Sequence, residues 1–147
     1  SLTGHSLPSG TSFSREAWLE TIVKDAKTGD ILFSSGKIEE LTSELELSDS
    51  NLLLYTSYLL GASGEIETSV MDAFGIDKKM LSAFDIEFDT LEYKFDEIPQ
   101  TLSAIDSLSI SARMRFRAFK PSLLVEPYLS RQPVFDMALI DTTYILP

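Results

Sequence analysis

Three arginines at alternate positions, Arg113, Arg115 and Arg117, are the densest concentration of a single chemistry in the chain. They lie in "SLSISARMRFRAF" (107–119), where Leu108, Ile110, Ala112, Met114, Phe116 and Ala118 fill the intervening places. That alternation is a strand with one apolar and one polar face. Same-face neighbours on a strand stand ~7 Å apart, so the three guanidinium groups form a strip about 14 Å long. Their planar forks suit carboxylates and phosphates. Two roles fit the pattern. One is a sheet face whose arginines pair with Glu and Asp on neighbouring strands. The other is a docking strip for an acidic partner surface or for propionate-like groups.

The second candidate is His5, the only histidine, in "SLTGHSLPSG" at the start of the chain. It reads either as a loop imidazole bonded to backbone or as a metal ligand lent to a neighbour, since neutral imidazole is the commonest protein metal ligand. One histidine without cysteine holds no metal by itself. It can serve as an axial ligand to a haem iron whose porphyrin is held elsewhere. Other reactive arrangements fail on spacing. His5 is the sole base for a Ser-His-acid triad, and no Gly-x-Ser-x-Gly elbow accompanies it. The acid pairs Glu39/Glu40 and Asp85/Asp89 lack the Asp-x-Asp-x-Asp-Gly spacing that gathers oxygens around calcium. "GASGE" (61–65) reads as a hairpin turn, with no phosphate-cradling loop anywhere. The expectation is a chain that is not an enzyme, with no catalytic residue and no metal site of its own.

Lys and Arg number 12 against 23 Asp and Glu, a net charge of −11. Such a balance repels phosphate backbones and anionic lipid, so nucleic acid and membrane surfaces are poor partners. The longest apolar run, "NLLLYTSYLL" (51–60), falls short of the ~20 residues that cross a bilayer. With no cysteine, disulfides, thiolate catalysis and covalent haem attachment within the chain are excluded. Fifteen Phe, Trp and Tyr and 44% hydrophobic residues over 147 positions support one folded core. A chain that opens "SLTGHSLPSG", with neither an initiator Met nor a signal peptide, reads as part of something longer.

The elements that position these residues are mostly strands. Residues 1–16 read as an arm or linker, and 17–147 as one domain. "AWLETIVKDAKTGDILFSSG" is a hairpin around "DAKTGD", with Trp18 assigned to the core. A second hairpin joins 51–60 to "IETSVM" (66–71). "DIEFDTLEYKFD" (85–96) alternates like a strand, with Leu91, Tyr93 and Phe95 on one face. "VFDMALIDTTYIL" (134–146) closes the chain as a strand. Residues 37–51 read as a loop with room for a short helix, 72–84 has an apolar stripe spaced for one, and 120–133 is a loop with a helical turn at Pro121. About seven strands with Gly-marked turns predict an all-β fold: an antiparallel, immunoglobulin-like β-sandwich with one or two short helices.

"TGHSLPSGTSFSREAWLETIVKDAKTGDILFSSG" (3–36) resembles the Gly-His-x-x-Pro-[Ser/Thr]-Gly segment and following hairpin of bacterial multihaem c-type cytochromes. "ARMRFRAFKPSLL" (112–124) and "PVFDMA" (133–138) look like later landmarks of the same all-β domain, while 37–105 matches weakly. The resemblance implies a non-catalytic scaffold or docking domain of such a cytochrome, involved in periplasmic or cell-surface electron transfer. It implies no cofactor in this chain and haem c in an upstream portion, toward which His5 would face. Its implied partners are that haem-bearing portion or another redox protein. The alternative reading is a free-standing secreted β-sandwich module that binds carbohydrate or a cell-surface protein through exposed aromatics.

Overall fold

A computed structural model describes residues 6–82, 90–93, 105–125 and 127–146. Seven antiparallel strands follow one another: β1 (Glu16–Asp25), β2 (Ile31–Ser35), β3 (Leu53–Leu60), β4 (Ile66–Glu67), β5 (Gly75–Lys79), β6 (Ser107–Arg117) and β7 (Val134–Ile145). The main path runs β4-β3-β1-β6-β7, with β2 added to β1 and β5 to β3. The chain is all-β. Helical geometry among the described residues is confined to 3-10 turns at Ser12–Ser14, Pro121–Leu123 and Leu129–Arg131.

β1 is the central strand because its sequence suits burial on both sides. Ala17 and Trp18 are fully buried, and Val23 nearly so. Along one edge β1 pairs with β6 from Glu16↔Arg117 to Asp25↔Leu108. Its other edge is shared: Ala17–Leu19 meet Tyr55–Leu53 of β3, and Thr21–Lys24 meet Ser35–Ile31 of β2. The β1–β2 turn is built as "DAKTGD" predicts. Asp25 Oδ1 accepts the N–H of Lys27 at 2.7 Å, which holds that carboxyl below its ordinary value.

Period-2 alternation places Ala17, Leu19, Met114 and Phe116 on one face, where Leu7, Leu81 and Leu91 pack over Leu53 and Tyr55. The Tyr93 hydroxyl meets Thr21 Oγ1 at 3.1 Å on the same side. On the opposite face Trp18 and Leu54 are covered by Ile38 and Leu45 from the β2–β3 connection.

Three local expectations change. Residues 75–79, expected within a short helix, form β5, because they pair with Thr56–Leu60 of β3 as an edge strand with polar Asp77, Lys78 and Lys79 exposed. The connection 37–51 is a loop of turns without the short helix, Ile38 and Leu45 capping Trp18 while Leu41 and Leu47 stay exposed. Of the expected strand 85–96, only 90–93 lie among the described residues, and these are not a strand. The arm also differs from a free linker over its described part. Leu7 and Leu81 exchange two 2.9 Å backbone hydrogen bonds, Pro8, Ser12 and Ser14 are buried, and the N–H of Lys120 donates to Ser14 O at 2.8 Å.

Candidate functional site

The arginine ladder faces inward, onto Trp18. Register sets Glu16 opposite Arg117 and Glu20 opposite Arg113 on the β1–β6 pair, so the cationic strip of β6 meets an acidic strip on β1. Arg117 is completely buried. Its Nε donates to Glu16 Oε2 at 2.6 Å, its Nη2 stands 2.6 Å from the same oxygen, and its Nη1 donates to Ser43 O at 2.7 Å. Glu44 Oε2 lies 3.6 Å away. Arg115 Nη1 donates to Glu20 Oε2 at 2.7 Å and its Nε to Asp136 Oδ1 of β7 at 3.1 Å. The Arg115 and Arg117 guanidinium carbons sit 5.7 and 5.3 Å from the Trp18 ring centroid. Arg113 is the most exposed of the three, 3.8 Å from Asp136. Pairing with neighbouring strands therefore accounts for Arg115 and Arg117, and Arg113 alone keeps a substantially open side chain. His5 lies outside the described residues.

Sequence reading passed over the second half of this cluster. Lys120, just beyond β6, is buried; its Nζ donates to Ser57 O at 2.9 Å and rests 4.1 Å from the Tyr58 ring centroid. Beside it a cleft of about 300 Å³ is lined by Glu16, Glu44, Leu45, Tyr58, Lys120 and Ser122, among others. Nothing in local composition marks Lys120, because its burial depends on β3 crossing beneath it. A signal does exist in the sequence: Glu16, Trp18 and Glu20 alternate on one strand face as the three arginines do.

Burial governs the titration of the cluster. It raises the Glu16 carboxyl, against the pull of Arg117. It lowers the Lys120 ammonium, against Glu16 and Glu44. It raises the Tyr58 phenol, helped by the nearby carboxylates of Glu16, Glu44 and Asp77. Between the lowered folded value of Lys120 and the ordinary 10.5, the unfolded chain holds more protons, so stability rises with pH across that window. Glu16 acts in the opposite sense in acid: between 4.5 and its raised folded value, stability rises as pH falls. Lys120→Met should therefore remove a rise in stability that the parent shows approaching pH 10.5. Urea denaturation across the alkaline range checks this, and equal slopes for the two proteins would assign the rise elsewhere.

Chemically the cluster is a set of matched charges closing the 37–52 segment over Trp18, with each cation already engaged. Ser122 lines the cleft, but its N–H is committed to Glu44 Oε1 at 2.5 Å. Among the described residues no three His, Cys, Asp or Glu converge to hold a metal ion, and no helix is long and apolar enough to cross a membrane. The chain matches no protein-family model, no curated protein and no solved structure.

Proposed function

We propose that this chain is a non-catalytic scaffold domain that fixes a neighbouring protein segment against a rigid β-sheet. One observation carries the reading: residues 6–16 are pinned to the sheet. The Leu7–Leu81 bridge, the Thr56 Oγ1 bond to Arg15 O at 2.7 Å and the Ser57–Ser12 hydroxyl contact at 2.6 Å anchor this stretch at three points. A segment joined there inherits the orientation of the sheet. By the resemblance, that segment is the haem-bearing portion of a multihaem c-type cytochrome, working in periplasmic or cell-surface electron transfer; the run of short strands adds an immunoglobulin-like sandwich as the topology. The chain has no cysteine for thioether attachment, so haem c does not fit this domain, and the resemblance alone puts it upstream.

The reading frame preceding codon 1 tests the proposal. Cys-x-x-Cys-His repeats are the expected result, and a catalytic domain or a signal peptide alone would overturn it. On the protein, His5→Ala in the joined molecule should shift the haem spectrum where the imidazole reaches iron. A second reading, the secreted binding module, draws on a different observation. Phe119, Leu124, Tyr128, Arg131 and Pro133 surround an apolar pocket of about 400 Å³, with Phe119 and Tyr128 both exposed. Oligosaccharide binding lost in Tyr128→Ala would favour that module over the scaffold.

A further inference from the structure

β7 is a twelve-residue strand paired on one edge only: β6 occupies that edge, and no described strand occupies the other. Every residue after Val134 is exposed, including Phe135, Met137, Leu139, Ile140, Tyr144 and Ile145. Sheet edges are guarded by charge, above all Lys, by Pro and by bulges, of which β7 has two Asp and one bulge. Val134–Ile145 contains no Lys, Arg or Pro. We propose that this edge pairs antiparallel with the same edge of a second copy, joining two sheets through a two-fold axis at Ile140.

The first support is charge. The chain carries −11, so two copies repel over most of their surfaces. β7 is the exception. Of its two acids Asp136 is paired, with Arg115 at 3.1 Å and Arg113 at 3.8 Å, and Asp141 lines a pocket that also holds the cationic Lys24 and Arg113. A second acidic chain meets least opposition along this strand.

The second support is register. The β6–β7 pairing skips one residue between Met114↔Ala138 and Arg115↔Asp136, so Met137 is the extra residue of a bulge. With Ile140 facing its own copy, Leu139 falls opposite Asp141 and Ala138 opposite Thr142. Past the bulge, Asp136 meets Thr143, Phe135 meets Tyr144, and Val134 meets Ile145. Each pair joins residues of the same face, as antiparallel strands require. No Asp faces an Asp, and an aromatic pair closes each end. The pairing is two-fold and consumes the free β7 edge of each copy, so this contact closes at two copies.

The cysteine-free chain permits a clean test. Sedimentation at up to about 0.1 mM should show a two-chain mass, as a Kd in the micromolar range requires. Added salt should strengthen association by screening the −11 charges. Ile140→Lys should return the one-chain mass with melting unchanged, because Ile140 is 68% exposed. Mild oxidation should cross-link Ile140→Cys, since directly facing Cα atoms lie ~4.5–5.5 Å apart, within disulfide reach. Tyr144→Cys should not cross-link, its copies being roughly 27 Å apart along the strands. A one-chain mass at every concentration and salt overturns the proposal, as does cross-linking of Tyr144→Cys as readily as Ile140→Cys.

Discussion

Arg117→Met should lower the unfolding free energy by about 3–5 kcal/mol, the loss expected when one partner of a buried ion pair is removed and the other stays charged. Arg117 has no exposed surface and Glu16 almost none, so the carboxylate left behind has little water and loses its hydrogen-bonded cation, keeping only the Lys120 charge in its surroundings. The same substitution frees Ser43 O and Glu44, which tie the 37–52 segment to β6. Two readouts follow. The melting temperature should fall on the order of 10 °C, at about 2–4 °C per kcal/mol for a domain of this size. Emission from Trp18, the only tryptophan, should move to longer wavelength as its cap loosens. Adding Glu16→Leu should restore most of the loss, because an apolar pair of similar volume commonly matches a buried ionic one. A deficit below about 1 kcal/mol in Arg117→Met would instead place the pair with exposed salt bridges.

That pair also marks where sequence pattern stops being informative. Alternation in 107–117 sorts β6 correctly into an apolar and an arginine face, because side chains must alternate across a strand. It is silent on which face is covered. Here both are, in part: Leu7, Leu81 and Leu91 press on one side, and the 37–52 segment on the other. Arginine becomes a buried residue only because register brings Glu16 and Glu20 of β1 across from it, and register is a property of two strands together. Trp18 as core was legible, since the only indole sits in an apolar strand; its stacking beneath Arg115 and Arg117 was not. β5 escaped notice for a related reason. "GIDKK" has the composition of a solvated turn and becomes a strand only because β3 offers it an edge.

Gly36→Ala should be the second damaging change, costing about 2–5 kcal/mol, with Gly29→Ala as its calibrated control. Both glycines adopt left-handed backbone, φ +65° at Gly36 and +81° at Gly29. An L side chain pays ~1–2 kcal/mol for that conformation wherever it occurs. Around Gly29 nothing lies within 4 Å of an added Cβ, so the conformational cost is the whole effect. At Gly36 the Cβ would stand 2.5 Å from Leu19 O and 3.1 Å from Trp18 Cδ1. The first neighbour is the backbone of the central strand and cannot swing aside, so β1 or the β2 end must move, adding about 1–3 kcal/mol of overpacking. Displacement would also strain two hydrogen bonds that Gly36 itself makes. Its carbonyl accepts Trp18 Nε1–H at 2.9 Å, and its N–H donates to Asp49 Oδ2 at 3.1 Å, which also holds Ser35 Oγ at 2.7 Å. One methyl group thus presses on the indole, the central strand and the cap over them. Denaturation of the two alanine variants side by side measures the difference. Equal losses would mean that the backbone around Gly36 yields at no cost, and that the contact between β2 and Trp18 does not hold the cap in place.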